Sequence, residues 1–389
     1  MSASGSRVAV VGGGVIGLSV AWELSNRGHE VTVVDKYSIG RKASWAGAGI
    51  LAPASLVSQN PLDRLMALGS QLHSEWHRRL LQQTGIDNGY RECGGIYVAR
   101  TAGERAALAG QKLFWAEHEI EFEEVDETAK AASEDCQTLG LGEAAMILQM
   151  PSESQIRNPD HLKALARACE LNDVSLMQNC RELRVVDEGD GLIELVVNGK
   201  SIPADCVCVS AGAWTTGLLQ AVGFHLPMIP VRGQMLLFKL ERQIFSAIVN
   251  EGSRYIVPRE DGHVLVGSTT EEVGFDETTT DEKLSELQAF AQSIVPDLKP
   301  ERLVQSWAGL RPAANDGFPF MGKLAGFENG FVTTGHFKCG LQMAPAAAVI
   351  MADLIENKPT LMDVAPFEPS RLDDKSQFEP PANASFSQL

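Results

Sequence analysis

The sequence predicts a mixed fold, α/β plus α+β, in which a Rossmann-like dinucleotide-binding domain is interleaved with an antiparallel-sheet domain. Three observations carry this expectation. The chain opens with a short apolar run that breaks at three consecutive glycines and passes into a helical pattern. Its 389 residues exceed what one hydrophobic core usually serves. The alternation of strand and helix lapses after about residue 90, resumes near residue 158, and then gives way to a region of hairpin character.

Arg7-Val8-Ala9-Val10-Val11 reads as a buried parallel strand. From Val15 to Arg27, Ile16, Leu18, Val20, Ala21 and Leu24 recur at helical spacing, and Gly28 stands where a C′ glycine ends a helix. Glu30 to Asp35 is the second strand. Ala43 to Leu51 is dominated by small residues, as where something large approaches the backbone. A long amphipathic helix is expected over 61–83, and short strands with helical pieces over 90–149. A helix over 158–171 follows, then strands at 174–177, at 192–197 and through Cys208, all assigned to the first sheet. Strands at 233–239, 254–258 and 263–267 belong to the antiparallel region, the last two joined across Glu260-Asp261-Gly262. A helix over 281–294, a strand at 331–334, a loop over 335–340 and a helix over 346–355 complete the pattern. These readings assign 1–89, 150–225 and 312–370 to the nucleotide domain, 90–149 and 226–311 to the second domain, and 371–389 to a disordered polar tail.

The formal net charge of −17 repels phosphate backbones and anionic lipid, so neither a nucleic-acid nor a membrane role is expected. Seven scattered cysteines lack the spacing of a disulfide framework and read as reduced thiols of a cytoplasmic protein. Cys206 and Cys208 alternate within one strand and read as packing, with no metal site. Met1–Ser6 is a polar lead rather than an export signal, and no apolar run reaches the roughly 20 residues of a spanning helix.

Gly12-Gly13-Gly14-Val15-Ile16-Gly17 satisfies G-x-G-x-x-G between strand and helix, the context that gives the motif meaning. Gly12 permits the tight turn, Gly14 lets the backbone approach a pyrophosphate, and Gly17 lets helix and strand pack closely. Asp35, followed by Lys36, ends the second strand, where a carboxylate accepts from ribose hydroxyls and repels a 2′-phosphate. The fingerprint binds an ADP moiety and leaves open FAD or NAD.

Five blocks in order then carry a resemblance: Val11 to Gly17, Ala43 to Leu51, Val209-Ser210-Ala211-Gly212-Ala213-Trp214, Trp307-Ala308-Gly309-Leu310-Arg311-Pro312 and Gly335-His336-Phe337-Lys338-Cys339-Gly340. Together they resemble the D-amino-acid oxidase superfamily of flavoproteins, and within it the glycine oxidases linked to thiamine biosynthesis. The resemblance implies FAD as cofactor. It implies that Ala43, Ser44, Ala48, Gly49 and Ile50 line the pyrophosphate and isoalloxazine, that Val174 meets adenine, and that Gly212 flanks the nucleotide. It further implies that His336, Phe337, Lys338, Cys339, Gly340, Leu341 and Gln342 pass beside the ring, with the following helix dipole aimed at it. The flavin is expected to be non-covalent, because 311–321 lacks the cysteine that some relatives use. Cys339 reads as a small apolar filler rather than a redox group.

Oxidation at Cα needs a fixed substrate carboxylate, and Arg311 is the candidate anchor because a guanidinium grips a carboxylate through two parallel bonds. A structural ion pair with Asp316 is its alternative. Tyr255, by resemblance, reaches the same carboxylate. Lys338 stands where glycine oxidases usually present arginine, keeping the charge but losing bidentate geometry. The function this implies is oxidative deamination of glycine or another small amino acid or amine, by hydride transfer to flavin N5 and reoxidation by dioxygen to hydrogen peroxide, with iminoacetate for thiamine thiazole as the product from glycine. Open alternatives are a D-amino-acid dehydrogenase with a quinone acceptor and a flavin-bearing binding or RNA-modification module. The resemblance also suggests a homo-oligomer, specifically a homotetramer.

Overall fold

The computed structural model describes residues 5–126, 133–142 and 144–372. The expected first strand is Arg7–Val11, and it lies at the heart of a six-stranded sheet. Across that sheet the order is Phe320–Lys323, Gly330–Thr334, Cys206–Val209, Arg7–Val11, Glu30–Val34 and Ser175–Met177. All neighbours run parallel except the first pair. The strands are apolar on both faces because both are covered. One face meets the helices Val15–Asn26, Pro61–Thr84, Asn158–Leu171 and Gly340–Ile355, with Trp22 and Trp76 edge-on at 4.7 Å. The other meets a three-stranded antiparallel sheet, Leu183–Gly189, Leu192–Val197 and Lys200–Ile202.

That small sheet corrects the assignment of 192–197 to the first sheet. Leu192–Val197 pairs only with its sequence neighbours and packs its inward residues Ile193, Leu195 and Val197 onto the parallel sheet. Alternating burial, rather than a continuous apolar run, is the signature of such a one-sided strand.

Eight strands form the second large sheet, in the order Leu303–Ala314, Met228–Lys239, His263–Gly267, Arg254–Pro258, Ile248–Glu251, Gly95–Ala99, Met146–Met150 and Glu123–Glu124. The expected hairpin joins Arg254–Pro258 to His263–Gly267. Helix Asp281–Ile294 covers this sheet through Leu287, Phe290, Ala291 and Ile294. The strand Leu303–Ala314 was not expected, and its partner starts at Met228 rather than 233. The helix expected at 346 starts at Gly340 and carries Pro345 inside it. Arg371 and Leu372 still belong to a 3-10 turn, and Arg371 pairs with Asp316 at 2.8 Å. The rest of the expected tail lies outside the described residues.

Local signals set the helix that matters for the site. Asn60 accepts from the Leu62 N–H, Pro61 holds the first position, and Gly85 closes Pro61–Thr84 at φ 73°. This helix grips the first turn of Gly340–Ile355. Gly69 leaves no room for a Cβ against the Gln342 carbonyl. Gln342 Nε2 donates to the Ala52 carbonyl at 2.7 Å and to Ser70 Oγ at 2.9 Å. Pro345 has no N–H to offer the carbonyl four residues back. That carbonyl, of Leu341, lies 2.9 Å from His73 Nε2, which must therefore carry the proton.

Candidate active site

A cavity of about 530 Å³ runs from the C-terminal edge of the six-stranded sheet to the face of the eight-stranded one, which is antiparallel except where Ile248–Glu251 pairs with Gly95–Ala99. At the sheet edge Gly12 holds φ 113°, and a Cβ there would overlap the Ser210 carbonyl. A Cβ on Gly17 would overlap the Gly12 carbonyl, so this glycine sets the helix against the strand and does not line the cavity. Gly14 is the N-cap of Val15–Asn26, and the Val15 N–H donates to Ser44 Oγ at 2.9 Å. Gly14, Val15 and Ile16 all line the wall. Here the helix presents its N-terminal N–H groups and partial positive charge.

Asp35 also lines the wall. Its Oδ2 accepts from the Gly13 N–H at 2.6 Å and its Oδ1 from the Tyr37 N–H at 2.7 Å. Burial raises its pKa and these two bonds oppose the rise. Each carboxylate oxygen keeps a second acceptor site, so the glycine loop is braced without consuming the acid. Lys36 and Lys42 flank it; Lys42 stacks 4.0 Å over the Tyr37 ring and pairs with Glu277 at 2.6 Å.

Val174 is a correction. It precedes Ser175–Met177 at the N-terminal end of that strand, and its N–H donates to Cys169 O at 2.9 Å. A parallel strand delivers residues to the ligand edge at its C-terminal end, and there Arg181 and Leu183 line the cavity instead.

The small-residue segment forms the next stretch of wall through Ala43, Ser44, Ala48, Gly49 and Ile50. Gly49 holds φ 76° and has no space for a Cβ against the Ile156 carbonyl. Asn158 Nδ2 donates to the Ser44 and Gly47 carbonyls. Buried Arg259 donates to Ala48 O at 2.7 Å and Ile156 O at 3.0 Å. Burial pushes Arg259 down to about 10, so it remains charged at neutral pH. Gly212 lies opposite, after the strand Cys206–Val209, and lines the wall at φ 55°.

Gly335 to Gln342 closes the far side. Cys339 is the N-cap of Gly340–Ile355, whose first-turn N–H groups have no partner within the helix. His336 is buried, and its Nε2 has no hydrogen-bond partner among the described residues. Burial pushes His336 down to about 3, which makes it a neutral imidazole, and pushes the Cys339 thiol up to about 11.

Arg311 lies on the strand Leu303–Ala314 and faces the cavity. Its guanidinium rests flat on Gly233, where any side chain would collide with it. Nη2 donates to Ser268 Oγ at 2.7 Å and Nη1 to the Thr269 carbonyl at 3.2 Å. Three of its five N–H donors remain. No carboxylate pairs with it among the described residues, and Asp316 is taken by Arg371. The ion-pair alternative is thereby removed. Tyr255 lines the same end, its hydroxyl 3.4 Å from Met235 Sδ, a weak acceptor. Lys338 lines it too, with its pKa lowered by burial and then by Arg311.

Sequence reading missed Gly233 and Ser268, which aim Arg311, and Arg181. The first two carry no local signal because they act through a strand pairing far apart in sequence.

A buried, glycine-lined cleft with one acid and several bases is shaped for an extended anionic dinucleotide, and the comparisons agree. Residues 7–354 match the family described as FAD dependent oxidoreductase. The chain is 36% identical over 369 residues to glycine oxidase of Pseudomonas aeruginosa, covering 94% of this chain and 98% of that one. It is 30% identical to the bifunctional protein ThiO/ThiG of Nostoc sp., covering 90% of this chain and 52% of that longer one. The crystal structure of glycine oxidase from Geobacillus kaustophilus superposes with a TM-score of 0.87 at 31% identity, covering 94% of this chain and 99% of that one. No helix among the described residues is long and apolar enough to cross a membrane.

Proposed function

The chain belongs to the FAD-dependent oxidoreductases, and from that premise we propose that it is an amino-acid oxidase acting on glycine or a similarly small amino acid or amine. FAD is the cofactor, and the cavity suits it. Gly12, Gly14 and the first turn after Gly14 would hold the pyrophosphate, Asp35 the ribose, and Ala43, Ser44, Ala48, Gly49 and Ile50 one face of the ring system. Gly212 and Lys36 would flank the nucleotide, while Phe337, Leu341, Gln342 and the neighbouring loop residues would border the ring. His336 Nε2, buried without a partner, would meet a polar ring atom. The Cys339 thiol stays protonated, in keeping with non-covalent attachment.

When bound, FAD would supply a two-electron acceptor for oxidising the substrate amine to an imine by loss of the Cα hydrogen as hydride, with dioxygen as the final oxidant and hydrogen peroxide as its product. The chain's own residues position and polarise. Arg311, aimed by Ser268, Thr269 and Gly233, would take the substrate carboxylate through two parallel N–H bonds. The Tyr255 hydroxyl would donate to the same carboxylate. The positive charges of Arg311 and Lys338 favour the neutral substrate amine, the form whose lone pair can drive hydride departure. His336, neutral over the physiological range, offers one ring N–H and one acceptor nitrogen there and is not an imidazolium acid.

The single observation that carries the reading is Arg311: a cavity-facing guanidinium held by neutral acceptors and, among the described residues, lacking a carboxylate partner. Similarity to the ThiO/ThiG protein supports a place for the glycine product, iminoacetate, in thiamine thiazole formation. The test is anaerobic reduction of the holoenzyme flavin by glycine, sarcosine and D-alanine, followed by peroxide measurement in air. Bleaching with stoichiometric peroxide is expected. A flavin that none of them reduces would refute the reading, and reduction without peroxide would point to another acceptor.

A further inference from the structure

This inference rests on FAD as the cofactor and not on which substrate reduces it. Arg259 follows the strand Arg254–Pro258, and its side chain is buried outside the cavity, against the wall segment that contains Ala48 and Gly49. Nη2 donates to the Ala48 carbonyl at 2.7 Å, and Nη1 donates to the Ile156 carbonyl at 3.0 Å and to Gln155 Oε1. All three acceptors are neutral, and Nε is buried with no partner among the described residues. The acids whose charge reaches it, Asp160 and Asp261, are held by Arg157 at 3.3 and 2.7 Å. Burial keeps the neighbouring Cys93 thiol protonated.

A cation buried without a carboxylate is costly, and clipping carbonyls together does not require one, since a neutral amide donates as well. What the charge adds is a field, and it falls on a thin place in the wall. Ala48 and Gly49 line the cavity, and with no side chain beyond a methyl group they put little but backbone between the guanidinium and a bound ring system. The Ala48–Gly49 peptide is trans, so a carbonyl turned to Arg259 leaves the Gly49 N–H pointing the opposite way. That N–H makes no hydrogen bond to protein among the described residues. A cation at the oxygen end of this dipole strengthens the donor at the other.

Reduction of bound flavin at neutral pH takes up two electrons and one proton and leaves a negative charge on the ring. We propose that Arg259 sets the flavin potential: its buried charge, carried through the Ala48–Gly49 peptide, favours the reduced anionic ring over the neutral oxidised one. Arg259 acts through the wall and touches no reacting atom. It is therefore a positioning residue whose effect follows the charge at this place rather than the hydrogen bonds.

The midpoint potential of the substrate-free holoenzyme flavin tests this, read against a redox dye in the absence of oxygen at pH 6.5. Arg259→Gln removes the charge and keeps a donor for the Ala48 carbonyl. Arg259→Lys keeps the charge, and its three N–H donors match the three acceptors. Arg259→Gln should shift the two-electron reduction constant at least about tenfold, a potential lower by about 30 mV, as expected for one unit charge across a thin layer of protein. Arg259→Lys should stay within about twofold of the wild type. A wild-type potential in flavin-loaded Arg259→Gln overturns the proposal, as does an Arg259→Lys that drops equally far at pH 6.5. Where Arg259→Gln loads no flavin, pH decides, because a buried lysine loses its charge well before an arginine. Between pH 6.5 and 9 the potential of Arg259→Lys should then fall away from the wild-type line by the same amount, and a line parallel to the wild type throughout refutes the charge effect. No amino acid enters the measurement, so its outcome is separate from that of the amino-acid oxidase reading.

Discussion

Gly233→Ala is the sharpest probe of how the anchor is aimed. The substitution adds one methyl group beneath Arg311, and its carbon would lie inside van der Waals contact of Cζ, Nη1 and Nη2 together. Ordinary carbon contacts lie at about 3.5–4.0 Å, so the guanidinium must retreat by more than about 1 Å. The far end of a flexible side chain can do this without moving the strand, so the protein should fold, load FAD and keep a Tm near that of the wild type. The displaced fork cannot keep both Ser268 Oγ and the Thr269 carbonyl as well as a bidentate carboxylate. Loss of one charge-assisted bond costs about 1.5–3 kcal/mol, a weakening of roughly tenfold to a hundredfold. Titration of the oxidised flavin with glycolate reads that loss as Kd, and anaerobic stopped-flow with glycine reads it as the concentration dependence of reduction. Wild-type Kd and reduction in a well-folded, flavin-loaded Gly233→Ala would refute the claim that this glycine positions the anchor.

Other changes act on the scaffold. Gly17→Ala sets a Cβ against the Gly12 carbonyl, a backbone atom that cannot step aside; a loss of about 1–3 kcal/mol and reduced flavin content are expected, read by thermal unfolding and the flavin-to-protein absorbance ratio. Glu153 is buried among Tyr97 and Asn250, and burial pushes it up to about 8 from 4.5. A raised pKa means its contribution is most favourable below about pH 4.5 and is lost as pH rises to about 8, by up to about 1.4 kcal/mol per unit; denaturation between those limits should show a flatter profile in Glu153→Gln. His73, His161 and His336 are instead held neutral, pushed down to about 4, 3 and 3. Their stabilisation is complete above pH 6.5 and is lost as pH falls towards those values, so His161→Gln should soften the acid limb of the same profile.

The glycine loop was legible because its residues answer to steric demands that only glycine meets: φ 113° at Gly12 and the carbonyl against Gly17. Arg311 was legible as chemistry, but its aim was not, since Gly233, Ser268 and Thr269 reach it through pairings that no local pattern announces. The strand Leu303–Ala314 stayed hidden for a related reason. Gly309 and Pro312 argue against a strand interior, yet Gly309 is needed where Ala46 presses within 2.5 Å of its Cβ position, and Pro312 falls at an edge strand near its end. The start of the last helix was masked by Pro345, whose missing bond is made good by His73, more than 250 residues away in sequence. Val174 was placed by resemblance alone, and the strand direction puts it at the wrong edge.

The net charge of −17 weighs against polyanionic partners, yet the cavity has the opposite sign: Lys36, Arg41, Lys42, Arg181, Arg311 and Lys338 line it against Asp35. The two facts are compatible because exposed charges are screened beyond about 8 Å at physiological ionic strength, whereas groups on a recessed wall are screened far less. An anionic ligand therefore meets mild repulsion outside and strong attraction once inside. Along the cleft the bases divide by what holds them. Lys42 is tethered by Glu277 and by the Tyr37 ring, so it serves as a fixed post near the nucleotide end. Among the described residues Arg311 is held by neutral acceptors alone, which leaves its charge available to an anionic ligand. Net charge thus describes what the surface turns away, while the partners of individual buried bases decide which anion the cleft accepts.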